Sequence, residues 1–293
     1  MVRWRWTLGT AAMAAVAACG SGGGGDGPDM LHQQALDALA RYDRAVLDAG
    51  GMPVLVPVGS LTAQLGDWEP ANGDNKQALS SGRILATELP AAPSSTGRVT
   101  WDDGTTRTVA LISAREALRQ LTAAGTGDCP GCVPLRVTGA RLTIIRIETT
   151  RGPATAPAWE YALKGTAVRV TRVAVPDSAT VAVTPPPWDP EHPRGGIAIE
   201  SARTSPPGTR LTVDFTGAPD PAGRPCGADY TAQAVESADA VVVIVLEHRH
   251  AADEACRSIG ARRTATVDLN RPLGERAVLE VQQGLPVPLR VTG

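Results

Sequence analysis

The sequence predicts a mainly β protein with a minor α component: an α+β N-terminal lobe with two helices, then a C-terminal immunoglobulin-like β-sandwich. Three observations favour this class. From Pro53 onward, short β-branched runs alternate with Gly, Pro and Asp turns, as in antiparallel β structure. Of two earlier stretches, one has helical periodicity and the other begins with a capping box. Beyond residue 196, about seven strand-like runs follow within roughly 100 residues without a helical pattern, which is typical of a sandwich.

Residues 1–18 predict a bacterial signal peptide. Arg3 and Arg5 form its charged start, and the apolar segment after them is too short to cross a bilayer. The stretch Val16-Ala17-Ala18-Cys19 then resembles the lipobox of bacterial lipoproteins, in which the cysteine thiol receives a diacylglycerol and the chain is cut just before it. The resemblance implies that Cys19 is lipidated, and that the chain is anchored at the extracytoplasmic face of the cell membrane.

Residues 19–28 comprise this cysteine and a Gly-rich segment, whose composition predicts a flexible tether. Asp29 can then cap an amphipathic helix that runs to about Ala49 and is closed by Gly50-Gly51. Its apolar residues fall on one stripe, which a sheet or another helix must cover; they are Leu31, Ala35, Ala38, Leu39, Tyr42 and Val46.

The N-terminal lobe is expected to span residues 29–175 and to contain a second helix. Ser113 and Glu116 form a capping box at the start of this helix, which should end near Gly125. The other periodic runs of the lobe predict strands at 54–58, 61–65, 83–87, 98–101, 107–112, 135–138, 141–149, 159–163 and 166–175.

A Pro-rich stretch, residues 176–196, is interpreted as the boundary between the lobes. The sandwich lobe then covers residues 197–293. Its strands are predicted at 197–203, 210–216, 230–236, 241–247, 262–269, 278–281 and 287–291.

Composition excludes some classes of partner. Removing residues 1–18 takes away two arginines and no acid, so 26 basic and 30 acidic residues remain and the net charge is −4. This balance argues against nucleic acid as a partner and against a polybasic membrane patch.

No later stretch reaches the roughly 18 apolar residues of a transmembrane helix; the longest apolar run, residues 240–246, has the length of a strand.

Four cysteines remain besides Cys19, an even number that is typical of disulfides in an oxidising compartment. They allow three pairings, of which Cys129–Cys132 and Cys226–Cys256 are favoured. The Cys129-Pro-Gly-Cys132 motif could instead carry disulfide exchange or bind metal. Thiol activation needs a helix start, but a helix precedes this motif and a strand follows it. A zinc site would need a second such pair.

His248 and His250 are the candidate metal ligands. Both imidazoles would point to the same side of a strand end, with Asp253 and Glu254 close behind. The alternative is a solvated loop beside a disulfide.

The oxygen-rich stretch 67–75 could bind calcium, although its spacing fits no EF-hand and its residues are ordinary turn formers. No metal or cofactor is therefore assigned.

Four tryptophans are conspicuous in a chain with one phenylalanine: Trp68, Trp101, Trp159 and Trp188. They could line a groove for a sugar or a peptide. Large side chains in a protein so poor in aromatics are more often core fillers, which we expect above all for Trp101 and Trp159. Trp68 and Trp188 lie in predicted loops, where packing is less strongly indicated.

The heptapeptide Val-Pro-Leu-Arg-Val-Thr-Gly occurs at residues 133–139 and again at 287–293. It indicates either a duplicated module or two similar proline-initiated edge strands.

Short catalytic motifs such as Gly-x-Ser-x-Gly, Ser-x-x-Lys and His-Glu-x-x-His are absent from the sequence. A hydrolase that uses two carboxylates has no short motif, so that class stays open.

Two further stretches are similar to a group of actinobacterial secreted lipoproteins of unknown function. One is the region from Cys132 to Val175, especially Ala158-Trp159-Glu160-Tyr161-Ala162-Leu163-Lys164-Gly165-Thr166. The other is Pro225-Cys226-Gly227-Ala228-Asp229-Tyr230 together with residues 261–267. The resemblance implies an envelope location and assigns no activity.

The leading hypothesis is a non-enzymatic lipoprotein that is attached to the membrane through its N-terminal lipid. Its two β-rich lobes would bind or scaffold an envelope protein or a cell-wall partner outside the membrane. One alternative is an envelope hydrolase acting on cell-wall sugar or peptide through unassigned carboxylates. A second alternative is the capture of a small ligand or a metal.

Overall fold

The computed structural model describes residues 27–292 except 52–54, 70–71, 91–95, 126, 128 and 192. The predicted signal peptide, Cys19 and most of the tether therefore lie outside the described residues. Three α-helices and fourteen β-strands are described. In chain order they are α1 (Pro28–Asp48), β1 (Thr62–Leu65), α2 (Gly73–Ser80), β2 (Ile84–Ala86), β3 (Thr96–Trp101), β4 (Thr106–Ala110), α3 (Ala114–Ala123), β5 (Leu135–Ile147), β6 (Ala154–Leu163), β7 (Arg169–Val173), β8 (Ile199–Thr204), β9 (Arg210–Gly217), β10 (Ala228–Glu236), β11 (Ala240–Arg249), β12 (Ala261–Asp268), β13 (Ala277–Glu280) and β14 (Leu289–Val291).

Local backbone preferences set both ends of α1. Pro28 occupies its first position, where the fixed φ of proline suits a helix and the missing N–H removes no bond. At the other end, Gly50 and Gly51 have φ values of 86° and 78°, which glycine adopts without steric cost. The Gly51 N–H donates to the Val46 carbonyl and so closes the last turn. The predicted first helix is confirmed, but Asp29 is not its cap: Gly27 is the N-cap, and Asp29 lies within the first turn.

One seven-stranded sheet forms the core of the N-terminal lobe. Its main path runs β1-β7-β6-β3-β4, while β5 pairs with β6 and also carries β2 as a parallel neighbour. The sequence predicts two strands where the structure has the single strand β5. The reason is a register shift between Val137 and Gly139, which interrupts the regular pattern while the pairing with β6 continues on both sides.

α3 packs on this sheet and begins as predicted. The Ser113 hydroxyl accepts a hydrogen bond from the Glu116 N–H at 3.2 Å, which satisfies one of the free amides of the first turn. Two side chains of β6 fix the start of the helix. The Tyr161 hydroxyl donates to the Ala114 carbonyl at 2.7 Å, and Trp159 Nε1 donates to the Ile112 carbonyl at 2.9 Å.

α2 is a helix that the sequence does not predict. It forms in the stretch that the sequence marks as an oxygen-rich run of turn residues. Ala78 is its buried residue, so α2 lacks the apolar stripe that normally reveals a helix.

The strands beyond residue 196 form the predicted sandwich. A four-stranded sheet, β12-β9-β8-β14, faces a three-stranded sheet, β10-β11-β13. Leu211, Val213 and Phe215 of β9 share one core with Val241 and Val243 of β11. Each sheet contains one parallel pair, β8 with β14 and β11 with β13, so the pairing departs from the antiparallel sheets of an immunoglobulin domain.

α1 covers the outer face of the three-stranded sheet, so the first helix packs mainly against strands late in the chain. Leu39 and Tyr42 of α1 share a core with Val242 and Ile244 of β11 and with Leu279 of β13. β11 is therefore buried on both faces, which accounts for its continuous apolar run. The sequence instead groups this helix with the lobe of residues 29–175. An apolar stripe shows that a helix face must be covered, but it does not show which sheet covers it.

The two heptapeptide copies occupy comparable strands. Leu135 of the first copy pairs in parallel with Ile84, and Leu289 of the second pairs in parallel with Ala202. β14 lies at a sheet edge, whereas β5 lies between β2 and β6.

The protein is mainly β with a minor helical part, as predicted. None of the helices in the described part of the chain could span a lipid bilayer.

Candidate functional site

Both favoured disulfides are present. Cys129–Cys132 closes a turn between α3 and β5. Arg83 Nη1 holds this turn by donating to the carbonyls of Cys129 at 2.9 Å and of Pro130 at 3.1 Å. A strand and not a helix follows the motif, so the described fold supplies no helix N-terminus to activate a thiol there.

Cys226–Cys256 joins the segment before β10 to the loop between β11 and β12. Cys226 has a φ of 60°, in the left-handed region that non-glycine residues adopt rarely. Its N–H donates to the Glu254 carboxylate at 2.6 Å, and His250 Nδ1 lies 2.8 Å from the other carboxylate oxygen. The hydrogen bond from Cys226, followed by that from His250, holds the pKa of Glu254 below its usual range, so the carboxylate is ionised.

A cleft of about 750 Å³ opens beside this disulfide at one end of the sandwich. Several of its polar side chains already have partners. Glu247 accepts hydrogen bonds from the Tyr230 hydroxyl at 3.2 Å and from Arg249 Nε at 2.5 Å, and Asp220 forms an ion pair with Arg224 at 3.1 Å. A ligand would have to compete with these contacts.

The structure gives His248 and His250 separate partners. His248 Nε2 lies 2.8 Å from Thr231 Oγ1, whereas His250 pairs with Glu254. In the part of the chain that the structure describes, the one group of three ligand-type atoms within 4.8 Å of one another is Cys226, Glu254 and Cys256, and it contains neither histidine. Its two sulfurs are bonded to each other and are therefore not thiolate ligands.

The oxygen-rich stretch 67–75 is organised around Glu69. Its carboxylate accepts hydrogen bonds from the Ala167 N–H at 3.1 Å, the Asn72 side-chain amide at 2.6 Å and the Thr166 hydroxyl at 2.8 Å. These donors, led by the Ala167 N–H, lower the pKa of Glu69 to about 2. The carboxylate thus ties this segment to the β6–β7 turn, and its oxygens are occupied by hydrogen-bond donors.

The two tryptophans that were expected in the core are buried, and the two in predicted loops differ in their exposure. Trp101 and Trp159 are 3% and 2% exposed, which confirms their predicted packing role. Trp68 is partly buried and donates through Nε1 to the Gln64 side chain at 2.7 Å. Trp188 is 80% exposed.

A second cleft, of about 360 Å³, lies between the lobes and is called the interlobe cleft below. Widely separated segments of the chain meet around it: α1, the β3–β4 hairpin, the β5–β6 turn, the β10–β11 turn and the segment before β13. Six of its lining residues carry the argument: Tyr42, Trp101, Arg107, Arg151, Asp239 and Glu275. Interfaces between lobes are a preferred location for ligand sites.

One wall of the interlobe cleft is built around Trp101. The Trp101 indole N–H donates to the Thr149 hydroxyl at 3.0 Å, and this hydroxyl donates to the Gly152 carbonyl at 2.6 Å. The Arg151 guanidinium lies over the indole ring, 4.6 Å from its centroid. A positive charge is thus positioned on a rigid aromatic surface.

The hydroxyl of Tyr42 is a polar group on the opposite wall. Tyr42 is 3% exposed and lines the cleft, yet its hydroxyl makes no hydrogen bond to any residue that the structure describes. Burial is the main cause that raises the pKa of this phenol, and the nearby carboxylates of Asp239 and Asp43 raise it further. The hydroxyl therefore stays protonated and can donate to a ligand.

Charges of opposite sign line the two sides of the interlobe cleft. Arg107 and Arg151 come from the N-terminal lobe, and Asp239 and Glu275 come from the C-terminal lobe. Arg276 also lines the C-terminal side, but its charge is balanced by the ion pair with Glu236, and Arg151 lies 4.0 Å from Asp103. Within the described parts of the chain, the side chains of Arg107, Asp239 and Glu275 form no hydrogen bond and no ion pair. The cleft can therefore offer cationic donors and anionic acceptors to the same molecule.

The sequence does not predict this site, apart from the burial of Trp101. Its residues are spread from Tyr42 to Glu275 and follow no motif spacing. The available local signals were turn residues, such as Thr149-Thr150-Arg151-Gly152 and Ser237-Ala238-Asp239. Such residues mark loops, but they do not show which loops meet.

Comparison with known proteins adds no relative. No protein-family model, curated protein or solved structure matches the chain. The similarity to actinobacterial lipoproteins therefore stays a prediction.

Proposed function

We propose that the chain is a lipid-anchored binding module at the extracytoplasmic face of the cell membrane, and that the interlobe cleft receives its ligand. The anchoring part rests on the lipobox-like sequence that ends in Cys19. The binding part rests on one observation: the Tyr42 hydroxyl, which makes no hydrogen bond to a described residue, lies at a cleft whose two sides carry opposite charges. A small ligand that carries both a carboxylate and an ammonium group matches this arrangement.

The geometry favours binding over hydrolysis. A glycoside hydrolase needs one carboxyl group of raised pKa that faces a second carboxylate across the substrate. Burial raises the pKa of Asp43, but that carboxyl accepts a hydrogen bond from the Ser237 hydroxyl at 3.0 Å and does not line the cleft. Asp239 and Glu275, which do line the cleft, come from the same lobe, whereas the facing wall carries arginines.

Calorimetric titration of the full chain with alanyl-alanine tests the binding part. The dipeptide should bind, and both its N-acetylated form and its C-terminal amide should bind at least tenfold more weakly. Arg107→Gln and Asp239→Asn should each weaken binding, whereas Arg115→Gln, at an exposed position on α3, should not. Equal affinity of all three peptides, or no heat of binding with any of them, would overturn this assignment.

Metabolic labelling with radioactive palmitate tests the anchoring part. Label should enter the parent chain and be absent from Cys19→Ala. Without label in the parent, or with equal labelling of both chains, the anchor assignment fails whatever the cleft binds.

A further inference from the structure

We propose that a groove around Trp188 contacts the surface of the phospholipid bilayer and so fixes how the protein sits on the membrane. This inference rests on the lipid anchor of the proposed function. The Trp188 groove is defined by Met30, Pro185, Pro186, Pro187, Trp188 and Arg194, and encloses about 530 Å³.

The groove exposes two large apolar side chains to solvent. Trp188 is 80% exposed and Met30 is 45% exposed, although most large apolar side chains among the described residues are buried. Apolar groups that cluster at the surface mark a contact with a partner or a membrane. An indole ring is suited to the membrane interface, because it combines a large apolar face with one N–H donor.

The segment that follows the groove is bonded to the body of the protein. Three consecutive prolines precede Trp188 and restrict the backbone that leads to it. On its other side, the Gln34 amide of α1 bonds both backbone groups of Gly195, and Gln282 Nε2 donates to the Gly196 carbonyl at 2.6 Å. Trp188 is therefore preceded by a stiff stretch of chain and followed, at Gly195, by an attachment to α1.

The position of the groove selects the bilayer as its occupant. Met30 lies in the first turn of α1, three residues after Gly27, which is the first described residue. Cys19 precedes Gly27 by eight residues, and covalent geometry limits a stretch of that length to at most about 29 Å. A lipid on Cys19 thus keeps the start of α1, and with it the Trp188 groove, within reach of the membrane surface.

The charges of the groove fit a zwitterionic lipid surface. Arg194 lines the groove; its Nη1 is buried and makes no hydrogen bond to a described residue, so a bond to a lipid phosphate would come from its other N–H groups. Asp189 lies in the same groove, and its carboxylate accepts a hydrogen bond from the Glu191 N–H at 2.9 Å. Because the charges are mixed, contact should depend on the indole ring and change little at high salt.

Fluorescence quenching by brominated lipid tests this contact. The lipidated full chain is incorporated into vesicles of phosphatidylcholine, with or without bromine on the acyl chains near the headgroup. Bromine should quench part of the tryptophan emission in low and high salt alike. Trp188→Phe should abolish that quenching, whereas the matched variant Trp68→Phe, which removes a tryptophan on the other lobe, should retain it.

Vesicle flotation separates this proposal from the anchor on which it rests. If the lipidated chain floats with vesicles but Trp188 is not quenched, the groove does not face the bilayer and only this proposal falls. If the chain carries no lipid and does not float, the proposed anchor falls as well. Self-association of the unlipidated chain that Trp188→Ser abolishes would instead assign the groove to a second copy and overturn the membrane contact.

Discussion

Gln34 and Gly195, which are 161 residues apart in the chain, exchange two hydrogen bonds. Gln34 Nε2 donates to the Gly195 carbonyl at 3.1 Å, and the Gly195 N–H donates to Gln34 Oε1 at 3.3 Å. Gln34 is 8% exposed and Gly195 is buried. The side-chain amide takes the place of a neighbouring strand, because Gly195 lies outside both sheets of the sandwich. The pair thus fixes α1 to the segment that leads into β8.

Replacement of Gln34 by alanine should destabilise the protein by about 2–3 kcal/mol, because the buried N–H and carbonyl of Gly195 would lose their partners. Urea unfolding measures the difference. Gln33→Ala is the matched control, since Gln33 is exposed and its amide donates within the same helix to Asp37 at 3.2 Å. Similar losses for the two variants would show that the bonds to Gly195 contribute little.

Truncation of Leu39 tests whether α1 belongs energetically to the sandwich. Leu39 is 5% exposed and packs against the face of β11 that carries Val242 and Ile244. Leu39→Ala should cost about 2–4 kcal/mol through lost burial and the cavity left behind. Hydrogen exchange should then speed up first in β11 and β13. Leu47→Ala, at a position of α1 that is 67% exposed, is the control. Faster exchange confined to β5 and β6 would contradict the assignment.

Local patterns predicted most elements of this fold but not how they assemble. The stripe of α1, the Ser113 cap and the alternation of Leu211, Val213 and Phe215 each depend on residues close in sequence, so they could be identified without the structure. The partner of α1 could not, because a stripe indicates burial without naming a surface. One signal was present: the apolar run 240–246 is typical of a strand covered on both faces, which requires a layer beyond the second sheet.

The candidate site was harder to predict than the fold. Tyr42 belongs to the apolar stripe of α1, so its sequence context indicates packing and hides its hydroxyl. Arg107, Asp239 and Glu275 lie in ordinary polar surroundings, and only the meeting of distant loops gives them a common role. The paired cysteines were predictable because their even number and spacing restrict the choices.

The buried ion pair of Arg276 and Glu236 should be sensitive to loss of one partner. Arg276 Nη1 donates to Glu236 Oε2 at 2.6 Å, and the two side chains are 7% and 8% exposed. Glu236→Ala should cost about 3–5 kcal/mol, because it leaves a buried guanidinium without its counter-charge. The double variant Glu236→Leu with Arg276→Met should be less destabilised than Glu236→Ala, since no unpaired charge remains.

The control for this pair is Asp268→Ala. Asp268 pairs with Arg210 at 2.7 Å on the surface, where both side chains are about 70% exposed, so its loss should change stability little. Thermal unfolding at neutral pH compares all four chains. If Glu236→Ala resembled Asp268→Ala, the buried pair would not be a significant stabilising contact.

Glu69 should make the stability of the N-terminal lobe depend on acid pH. Hydrogen bonds from the Ala167 N–H, the Asn72 amide and the Thr166 hydroxyl lower its folded pKa from the ordinary 4.5 to about 2. Because the folded pKa is the lower one, the unfolded chain binds the proton more readily. The stabilisation is therefore complete above pH 4.5 and is lost as the pH falls towards 2.

Glu69→Gln should remove this part of the acid dependence, because an amide does not titrate. The measurement is urea unfolding at several pH values between 2 and 6, followed by the NMR signal of the Trp68 indole N–H, which bonds to Gln64 at 2.7 Å. The parent should lose stability more steeply below pH 4.5 than Glu69→Gln does, while Glu88→Gln, at an exposed position, should follow the parent. Parallel pH profiles for the parent and Glu69→Gln would mean that the three donors do not favour the ionised carboxylate, and that the segment from residue 67 to α2 is held by its apolar contacts instead.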